Sequence, residues 1–398
     1  MNQNMDTVLV RGSGGHREHG SYRDIHMSIA YVFQSLEEAE QAVRGEIPRD
    51  VYVRYSSENH RQVEDVLTYL EGGEATQVFG SGMGAIEAVI NGLSSRKRVI
   101  VSLPLYSTTY QLFKRYQDNW GLDVVFLDAH RFVQQFSAMD LHYFDADYVY
   151  LETPANSTMD IIDIKAVSTI IKMQQVDTLL IIDNTVATPY NQKPLKLGAR
   201  VVLESLTKGF TGHGDVIAGS ITTSKDIMSR IPYGQLGAVL SPEAAYRCAI
   251  EMETFSLRMR THNANALMVA QFLYGHPKIK AHALRYSGLV CDPAYHVAVK
   301  QMKGGGGMIS FELAAQEEMS LRRFFDFIAT DSEGVIDLAV SLGTTRSKIQ
   351  RPYTMTHQSL SPEEKELQRI TPWQIRLWVG IEDITDIIGS LERALVVV

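Results

Sequence analysis

The chain has 398 residues, of which 45% are hydrophobic and 21% charged, a composition typical of a folded globular protein. A formal net charge of −8 and a pI near 5.9 argue against nucleic-acid binding, which needs a basic surface. No apolar run approaches the roughly 20 residues of a membrane span, and no basic-then-apolar signal pattern opens the chain. Cys248 and Cys291 provide neither a disulfide framework nor a metal-ligand cluster, so we expect a cytoplasmic protein without a metal site.

Residues 1–50 are predicted to form an N-terminal arm with a polar, glycine-rich loop at residues 11–20 and a short helix at residues 35–43. Residues 51–245 are predicted to form a large domain, because short β-rich runs alternate with helix-length segments. This alternation is typical of βαβ units and a mostly parallel sheet. The predicted strands are residues 99–103, 124–127, 148–151, 179–183, 201–203 and 216–221.

Residues 246–398 are predicted to form a smaller α+β domain. A long helix runs from about Pro242 towards Leu273 and leads into it. Strands are expected at residues 308–313, 335–341 and 376–380, with a final helix near residues 383–395. The glycine run at residues 304–307 predicts a tight loop, since a strand follows it and a phosphate-binding loop would precede a helix.

Two predicted strands end in side chains that suit a cofactor. The apolar run at residues 179–183 ends in Asp183, and the next strand is followed by Ser205, Thr207 and Lys208. Parallel strands bring such side chains to one edge of the sheet. An acid, two hydroxyls and an amine are the groups that pyridoxal phosphate (PLP) requires. The lysine forms a Schiff base, the acid keeps the pyridine nitrogen protonated, and the hydroxyls bind the phosphate.

The glycine-rich segment at residues 78–85 leads into a predicted helix at residues 86–91. Backbone N–H groups at Gly82 and Met83 would form an anion site at the helix start. The segment also matches the G-x-G-x-x-A dinucleotide fingerprint, which requires an acid about 20 residues on, at the end of the next strand. That strand continues into SLPLY at residues 102–106 without an acid. We interpret the segment as a phosphate site, with dinucleotide binding and an ordinary strand-to-helix turn as alternatives.

Three further residues complete the predicted frame. Tyr106 follows a strand and could stack on a planar ring. Asn156, in ETPAN after the next strand, could bind a phenolic oxygen of the cofactor, although asparagine is also common in turns. Arg376 lies between apolar neighbours on a predicted strand, and its guanidinium suits the α-carboxylate of an amino acid.

Together these motifs resemble the Cys/Met metabolism family of PLP enzymes, the family of cystathionine γ-synthase, cystathionine lyases and methionine γ-lyase. The resemblance covers almost the whole chain, from DTVLVRG at residues 6–12 to RLWVGIED at residues 376–383. It implies the fold-type I PLP fold, with a mostly parallel seven-stranded sheet in the large domain. The blocks between are YVRYSSEN (52–59), LEGG (70–73), GMGAI (82–86), ETPAN (152–156), DNT (183–185), SLTK (205–208) and GHGDVIAG (212–219).

The resemblance also implies a role for each matching residue. Lys208 matches the Schiff-base lysine, Asp183 the partner of the pyridine nitrogen, and Tyr106 the stacking ring. The matching phosphate-binding positions are Gly82, Met83, Ser205 and Thr207. The positions that bind the substrate carboxylate or the cofactor oxygen are Asn156, Ser341 and Arg376.

Tyr52 and Arg54 match a Y-x-R pair that reaches the phosphate from the neighbouring subunit. The resemblance therefore implies a homo-oligomer with shared active sites, at least a dimer and usually a tetramer made of two dimers. Tyr52, like Tyr106, could also protonate a leaving group.

The substrate-facing signals conflict. Arg346 stands where many γ-enzymes of the family have a glutamate near the substrate side chain, and this resembles the homoserine-ester sulfhydrylases. HGDVIAG at residues 213–219 instead resembles the lyases and cystathionine γ-synthase. The implied function is a PLP-dependent lyase or transferase that acts on a sulfur-containing or O-acyl amino acid, by γ-replacement or by β- or γ-elimination. The alternatives are an O-acylhomoserine sulfhydrylase and, more distantly, a PLP aminotransferase or racemase.

Overall fold

A mostly parallel seven-stranded sheet forms the centre of the molecule, as the sequence predicts. The computed structural model describes residues 4–12, 23–95, 97–139 and 145–398. The strand order is β1-β7-β6-β5-β4-β2-β3, and β7 alone runs antiparallel to its neighbours. The strands are β1 (Ala75–Phe79), β2 (Arg98–Leu103), β3 (Asp123–Asp128), β4 (Tyr148–Glu152), β5 (Leu179–Asp183), β6 (Val201–Glu204) and β7 (Gly219–Thr223).

Both faces of this sheet are covered by helices, which explains why its central strands are apolar without alternation. Tyr150 and Ile181 belong to a core on one face, and Val149 and Ile182 to a core on the other. The helices in the described residues are α1 (Met5–Arg11), α2 (Leu36–Val43), α3 (Glu58–Glu71), α4 (Gly82–Leu93), α5 (Ser107–Trp120), α6 (Phe132–Ser137), α7 (Ile164–Met173), α8 (Thr188–Asn191), α9 (Lys225–Met228), α10 (Pro242–Glu251), α11 (Phe255–Leu273), α12 (Tyr295–Gln301), α13 (Glu318–Thr330), α14 (Pro362–Leu367) and α15 (Ile384–Val396).

Strand β7 begins three residues later than its predicted start at residue 216. The Thr207 hydroxyl donates to the backbone oxygen of Ala218 at 3.1 Å and accepts from its N–H at 2.9 Å. Because these bonds occupy both backbone polar groups of Ala218, the ladder begins only at Gly219.

A second, four-stranded sheet lies in the C-terminal part of the chain, in the order β8-β11-β10-β9. Its strands are β8 (Met308–Glu312), β9 (Ile336–Leu338), β10 (Ser347–Gln350) and β11 (Gln374–Trp378). Helices α11, α13 and α15 cover one face through a core that includes Phe311, Phe324 and Leu391. The predicted α+β character of this region is confirmed.

Three details of the C-terminal region differ from the prediction. The helix predicted from Pro242 to Leu273 is divided by a 3-10 turn at Met252–Thr254 between α10 and α11. The strand predicted at residues 335–341 ends at Leu338, and the chain turns at Ser341, whose φ is +79°. Strand β10 is missing from the prediction because its four residues, SKIQ, carry a weak apolar signal.

The predicted domain limits at residues 50 and 245 stay predictions. Of the glycine-rich loop predicted at residues 11–20, residues 13–20 lie outside the described part of the chain. Within the residues that the structure describes, no helix is both long and apolar enough to cross a membrane.

Candidate functional site

Three neighbouring strands deliver carboxyl groups to one edge of the large sheet. Glu152 ends β4, Asp183 ends β5 and Glu204 ends β6, and Glu152 lies beside Asp183 in the register of the parallel pair. All three residues are less than 10% exposed and line one cavity of about 550 Å³. A cavity of this size can hold a cofactor together with a small substrate.

Asp183 is one of the buried residues that line this cavity. Its Oδ2 accepts a hydrogen bond from the Tyr150 hydroxyl at 3.1 Å, and its Oδ1 accepts from the backbone N–H of Thr185 at 3.1 Å. Burial raises the pKa of Asp183, and the hydrogen bonds from Thr185 and Tyr150 oppose that shift. A buried carboxylate of this kind is well suited to a cationic partner.

Lys208 lies in the turn that follows β6, with its Nζ 3.0 Å from the Ser341 Oγ. Burial, together with the positive charges of Arg376 and Lys348, lowers the pKa of this lysine to about 8. The amine is therefore partly neutral near physiological pH, as a nucleophile or base must be.

The loop at residues 341–343 packs directly against the backbone of Lys208. Gly343 has a φ of +86°, and a Cβ atom there would lie 2.6 Å from the Lys208 Cα. Only glycine allows both the left-handed backbone and this close approach. The loop thereby fixes Ser341 opposite the lysine amine.

The N-terminus of α4 lies at another side of the cavity, as predicted for a phosphate site. The Ser81 side chain caps the helix by accepting from the Gly84 N–H at 3.0 Å. A Cβ atom at Gly82 would lie 2.9 Å from the Ser205 Cβ, so the glycine allows this helix end to approach Ser205 closely. Gly82, Met83, Ser205 and Thr207 all line the cavity, although the Thr207 hydroxyl bonds Ala218.

Glu152 organises the neighbouring loops. Its Oε2 accepts from the Tyr106 N–H at 2.8 Å, and its Oε1 accepts from the Asn156 N–H at 2.8 Å. Burial and the nearby Asp183 charge raise the pKa of Glu152 to about 8. Tyr106 is 40% exposed and lines the cavity, so its ring is free to contact a bound molecule.

Arg376 enters the cavity from β11 of the small sheet. Its Nη1 donates to the Asn156 Oδ1 at 3.0 Å, and its Nη2 donates to the backbone oxygen of Ser341. The Gln350 amide oxygen, turned towards the guanidinium, accepts from Nη2 at 3.0 Å. Burial lowers the pKa of Arg376 to about 10, so the guanidinium remains charged at neutral pH.

The structure does not bring three predicted residues to this cavity. Arg346 is exposed and absent from the cavity lining, whereas the next residue, Ser347, is buried. In this chain Arg346 lies away from the cavity, and its contact with the substrate side chain stays a prediction. Tyr52 and Arg54 also lie outside the lining, with the Arg54 guanidinium 5.4 Å from the centre of the Tyr52 ring. A single chain therefore leaves the predicted Y-x-R pair away from the site.

Two residues that line the cavity and two that lie near it have no role in the sequence-based prediction. Glu152 and Glu204 each end an apolar strand as Asp183 does, so the same pattern could have identified them. Gln350 lies on β10, the strand that the prediction missed. Lys348, on the same strand, is close enough to Lys208 for its positive charge to lower the pKa of that lysine.

The residues present fit a planar cofactor that bears a phosphate and bonds covalently to an amine. The start of helix α4 at Gly82 suits an anion, and Asp183 suits a protonated ring nitrogen. Lys208 provides a mostly buried, partly neutral amine. The geometry thus defines a site of the pyridoxal phosphate class.

The chain belongs to the family described as Cys/Met metabolism PLP-dependent enzyme, whose model matches residues 6–396. It is 39% identical over 376 residues to L-methionine gamma-lyase of Fusobacterium nucleatum subsp. polymorphum, covering 93% of this chain and 92% of that protein. It is also 35% identical over 347 residues to cystathionine beta-lyase of Lactococcus lactis subsp. cremoris, covering 86% and 88% respectively. The predicted family, its PLP cofactor and its transsulfuration-type chemistry are therefore confirmed.

The fold agrees with solved structures of the same group. Cystathionine gamma synthase from Xanthomonas oryzae pv. oryzae matches with a TM-score of 0.89 at 28% identity, covering 100% of this chain and 99% of that one. The predicted fold-type I architecture is confirmed.

Proposed function

We propose that this enzyme eliminates a thiol from Cγ of a neutral thioether amino acid such as methionine. Methionine and water would give methanethiol, 2-oxobutanoate and ammonia. The observation that carries this proposal is that Ile217, Val340 and Met355 contribute apolar side chains to the cavity lining. An uncharged side chain with an apolar thioether matches such a lining better than a side chain that ends in a charged group.

The charges of the cavity support the same substrate class. Among its lining residues the cations are Lys208 and Arg376, and Arg376 is the one suited to an α-carboxylate. A second carboxylate at the far end of the substrate would find no cation in this lining. The Fusobacterium nucleatum relative, named as a methionine γ-lyase, also favours this choice.

Arg376 would bind the α-carboxylate with its guanidinium, which Asn156, Gln350 and the backbone oxygen of Ser341 orient. Because these contacts fix the guanidinium plane, the substrate carboxylate would meet a fixed fork of donors. The arrangement would direct the substrate Cα towards the Lys208 side of the cavity.

The cofactor would be held by the predicted set of residues. The backbone N–H groups of α4 would bind the phosphate, Asp183 would pair with the ring nitrogen, and Tyr106 would stack on the ring. The Ser205 hydroxyl would donate to the phosphate, and the Thr207 hydroxyl would do so by giving up its bond to the Ala218 oxygen. When bound, pyridoxal phosphate withdraws electrons from the amino-acid Cα and so makes loss of the Cα proton feasible.

Lys208 would move the protons of the reaction. With a pKa of about 8 its amine is neutral often enough to take a proton from the substrate, and its charged form can return one. Tyr106, half-exposed at the cavity, would protonate the departing thiolate. Tyr52 could serve the same purpose only if another subunit supplied it.

We further propose that the enzyme is a cytoplasmic homotetramer, built from two dimers with shared sites. The segment before α3 exposes a run of apolar side chains that a second copy could cover. They are Ile25, Met27, Ile29, Val32 and Leu36, with exposures from 44% to 80%. Tyr52 and Arg54 are likewise outside the cavity of their own chain, so a neighbouring chain could contribute them.

Mixed oligomers test this sharing. Arg54→Ala and Lys208→Ala subunits are each expected to be inactive alone. The two variants are unfolded, mixed and refolded together. If the sites are shared, the mixture regains activity, because some sites in the mixed oligomers contain neither substitution. Absence of recovery in a mixture that light scattering shows to be assembled would contradict shared sites.

A substrate screen tests the proposed reaction. Methionine, cystathionine, cysteine and O-acetylhomoserine are supplied with and without added thiol, and keto acid, thiol and new thioether are measured. We expect the highest kcat/KM for keto acid production from methionine, with Val340→Asp lowering it at least about tenfold. Val340→Leu is the matched control and should retain activity. A higher kcat/KM for cystathionine, or thioether formation from O-acetylhomoserine without elimination, would overturn the proposal.

A further inference from the structure

Two buried acidic side chains lie close to one another beside the cavity. Glu71 is the last residue of α3, and Glu204 is the last residue of β6. Their side chains are buried, with exposures of 0% and 2%, and the two carboxyl groups are close enough for each to affect the pKa of the other. Glu204 also lines the cavity beside Asp183.

All four carboxyl oxygens of the pair lack an N–H or O–H partner among the residues that the structure describes. The Asn184 amide lies close to both groups, and one of its N–H groups donates to the backbone oxygen of Gln192 at 3.1 Å. Two ionised carboxylates would repel each other in this interior, so a hydrogen bond between them requires a proton on one.

The groups around Glu71 and Glu204 make the two acids differ in how strongly each holds a proton. Glu71 ends a 14-residue helix, where the dipole disfavours a negative charge, and the partly buried Lys193 offsets this in part. Glu204 faces the negative charges of both Glu71 and Asp183. Burial raises the pKa of Glu71 to about 7 and that of Glu204 well above its usual range. The proton therefore belongs chiefly on Glu204.

We propose that Glu71 and Glu204 share a proton and act as a positioning pair, which keeps Glu204 uncharged beside an ionised Asp183. An ionised Glu204 would raise the proton affinity of Asp183, whereas Asp183 is not among the charged groups that face Glu71. The inference rests on the proposed pairing of Asp183 with the cofactor ring nitrogen. Its tests need no substrate, so they are independent of the proposed γ-elimination.

The first test uses cofactor-free protein. A raised folded-state pKa gives stability that is complete below the unfolded value of about 4.5 and is lost as pH rises through about 7. The melting temperature of the wild type should therefore fall between about pH 5 and about pH 8. Glu204→Gln should reduce that fall, because its amide donates permanently to an ionised Glu71. The exposed Glu87→Gln is the control and should leave it unchanged.

Infrared spectra of the same protein provide a direct readout of the proton. The carbonyl stretch of a protonated carboxyl group should be weaker at neutral pH in Glu204→Gln than in wild type and Glu87→Gln. If Glu204→Gln retains both the wild-type infrared band and the wild-type pH slope of melting, the shared proton is refuted.

The second test uses the holoenzyme and distinguishes the pair from a merely structural contact. Glu71→Gln places an amide donor beside Glu204 and so favours an ionised Glu204 next to Asp183. The pH below which the enzyme loses its cofactor, measured by cofactor absorbance, should then rise by about one unit. Glu204→Gln leaves no charge beside Asp183, so its limit should match or fall below that of the wild type. If the two variants move the limit in the same direction, or neither moves it, the proposal is overturned.

Discussion

Replacing Lys208 by methionine is expected to stabilise the cofactor-free protein at neutral pH. The folded state holds the lysine at a pKa of about 8, against 10.5 for a free side chain, because burial and nearby cations disfavour its charge. The difference of about 2.5 pKa units corresponds to about 3 kcal/mol at 1.36 kcal/mol per unit. Methionine has a similar length and no charge, so it removes this cost.

The pH dependence gives the prediction its sign. Between about pH 8 and about pH 10.5 the folded state binds fewer protons at Lys208 than the unfolded state, so the lysine costs less stability as pH rises. Urea unfolding should show Lys208→Met more stable than wild type by up to about 3 kcal/mol at pH 7 and by less than about 1 kcal/mol near pH 10.5. Lys165→Met, at an exposed position of α7, is the control and should leave the free energy of unfolding unchanged at both pH values. An equal effect of Lys208→Met at both pH values, or destabilisation at both, would refute the reasoning.

Three further substitutions test the frame around this lysine. Gly82→Ala should weaken cofactor affinity about tenfold in a fluorescence titration, since its Cβ would lie 2.9 Å from the Ser205 Cβ; unchanged affinity would remove this helix end from the phosphate site. Arg376→Lys should raise KM at least about tenfold and change kcat less, because an ammonium cannot replace the guanidinium that Asn156 orients. An unchanged KM would place the substrate carboxylate elsewhere. With saturating cofactor, Asp183→Ala should retain cofactor absorbance at a lower affinity than wild type, while kcat falls at least about 100-fold, and an unchanged kcat would exclude its role at the ring nitrogen.

The large sheet and the acidic ends of its strands could be predicted because their signals are local. Buried parallel strands are continuous apolar runs, and an acid at the end of such a run marks the carboxyl edge of the sheet. These signals predict Asp183 and Lys208, and the family resemblance assigns roles to the residues around them. Glu204 follows the same pattern, but its pairing with Glu71 depends on how α3 packs, which no local signal reveals.

The remaining features depend on tertiary contacts. Strand β7 starts late because the Thr207 side chain bonds the backbone of Ala218, a contact between residues that only the fold brings together. Arg346 is exposed and stands just before β10, a strand too short and polar to be recognised from the sequence. The direction of a single side chain near a strand end cannot be read from a pattern that lacks the strand.

The measurement that most directly tests the account is the identification of the lysine that carries the cofactor. Holoenzyme reduced with borohydride fixes the cofactor to its lysine, and peptide mass spectrometry then locates the modification. We predict a single modified peptide that contains Lys208, and none in the corresponding digest of Lys208→Met. A cofactor attached to another lysine, or its retention by reduction in Lys208→Met, would contradict the proposed site.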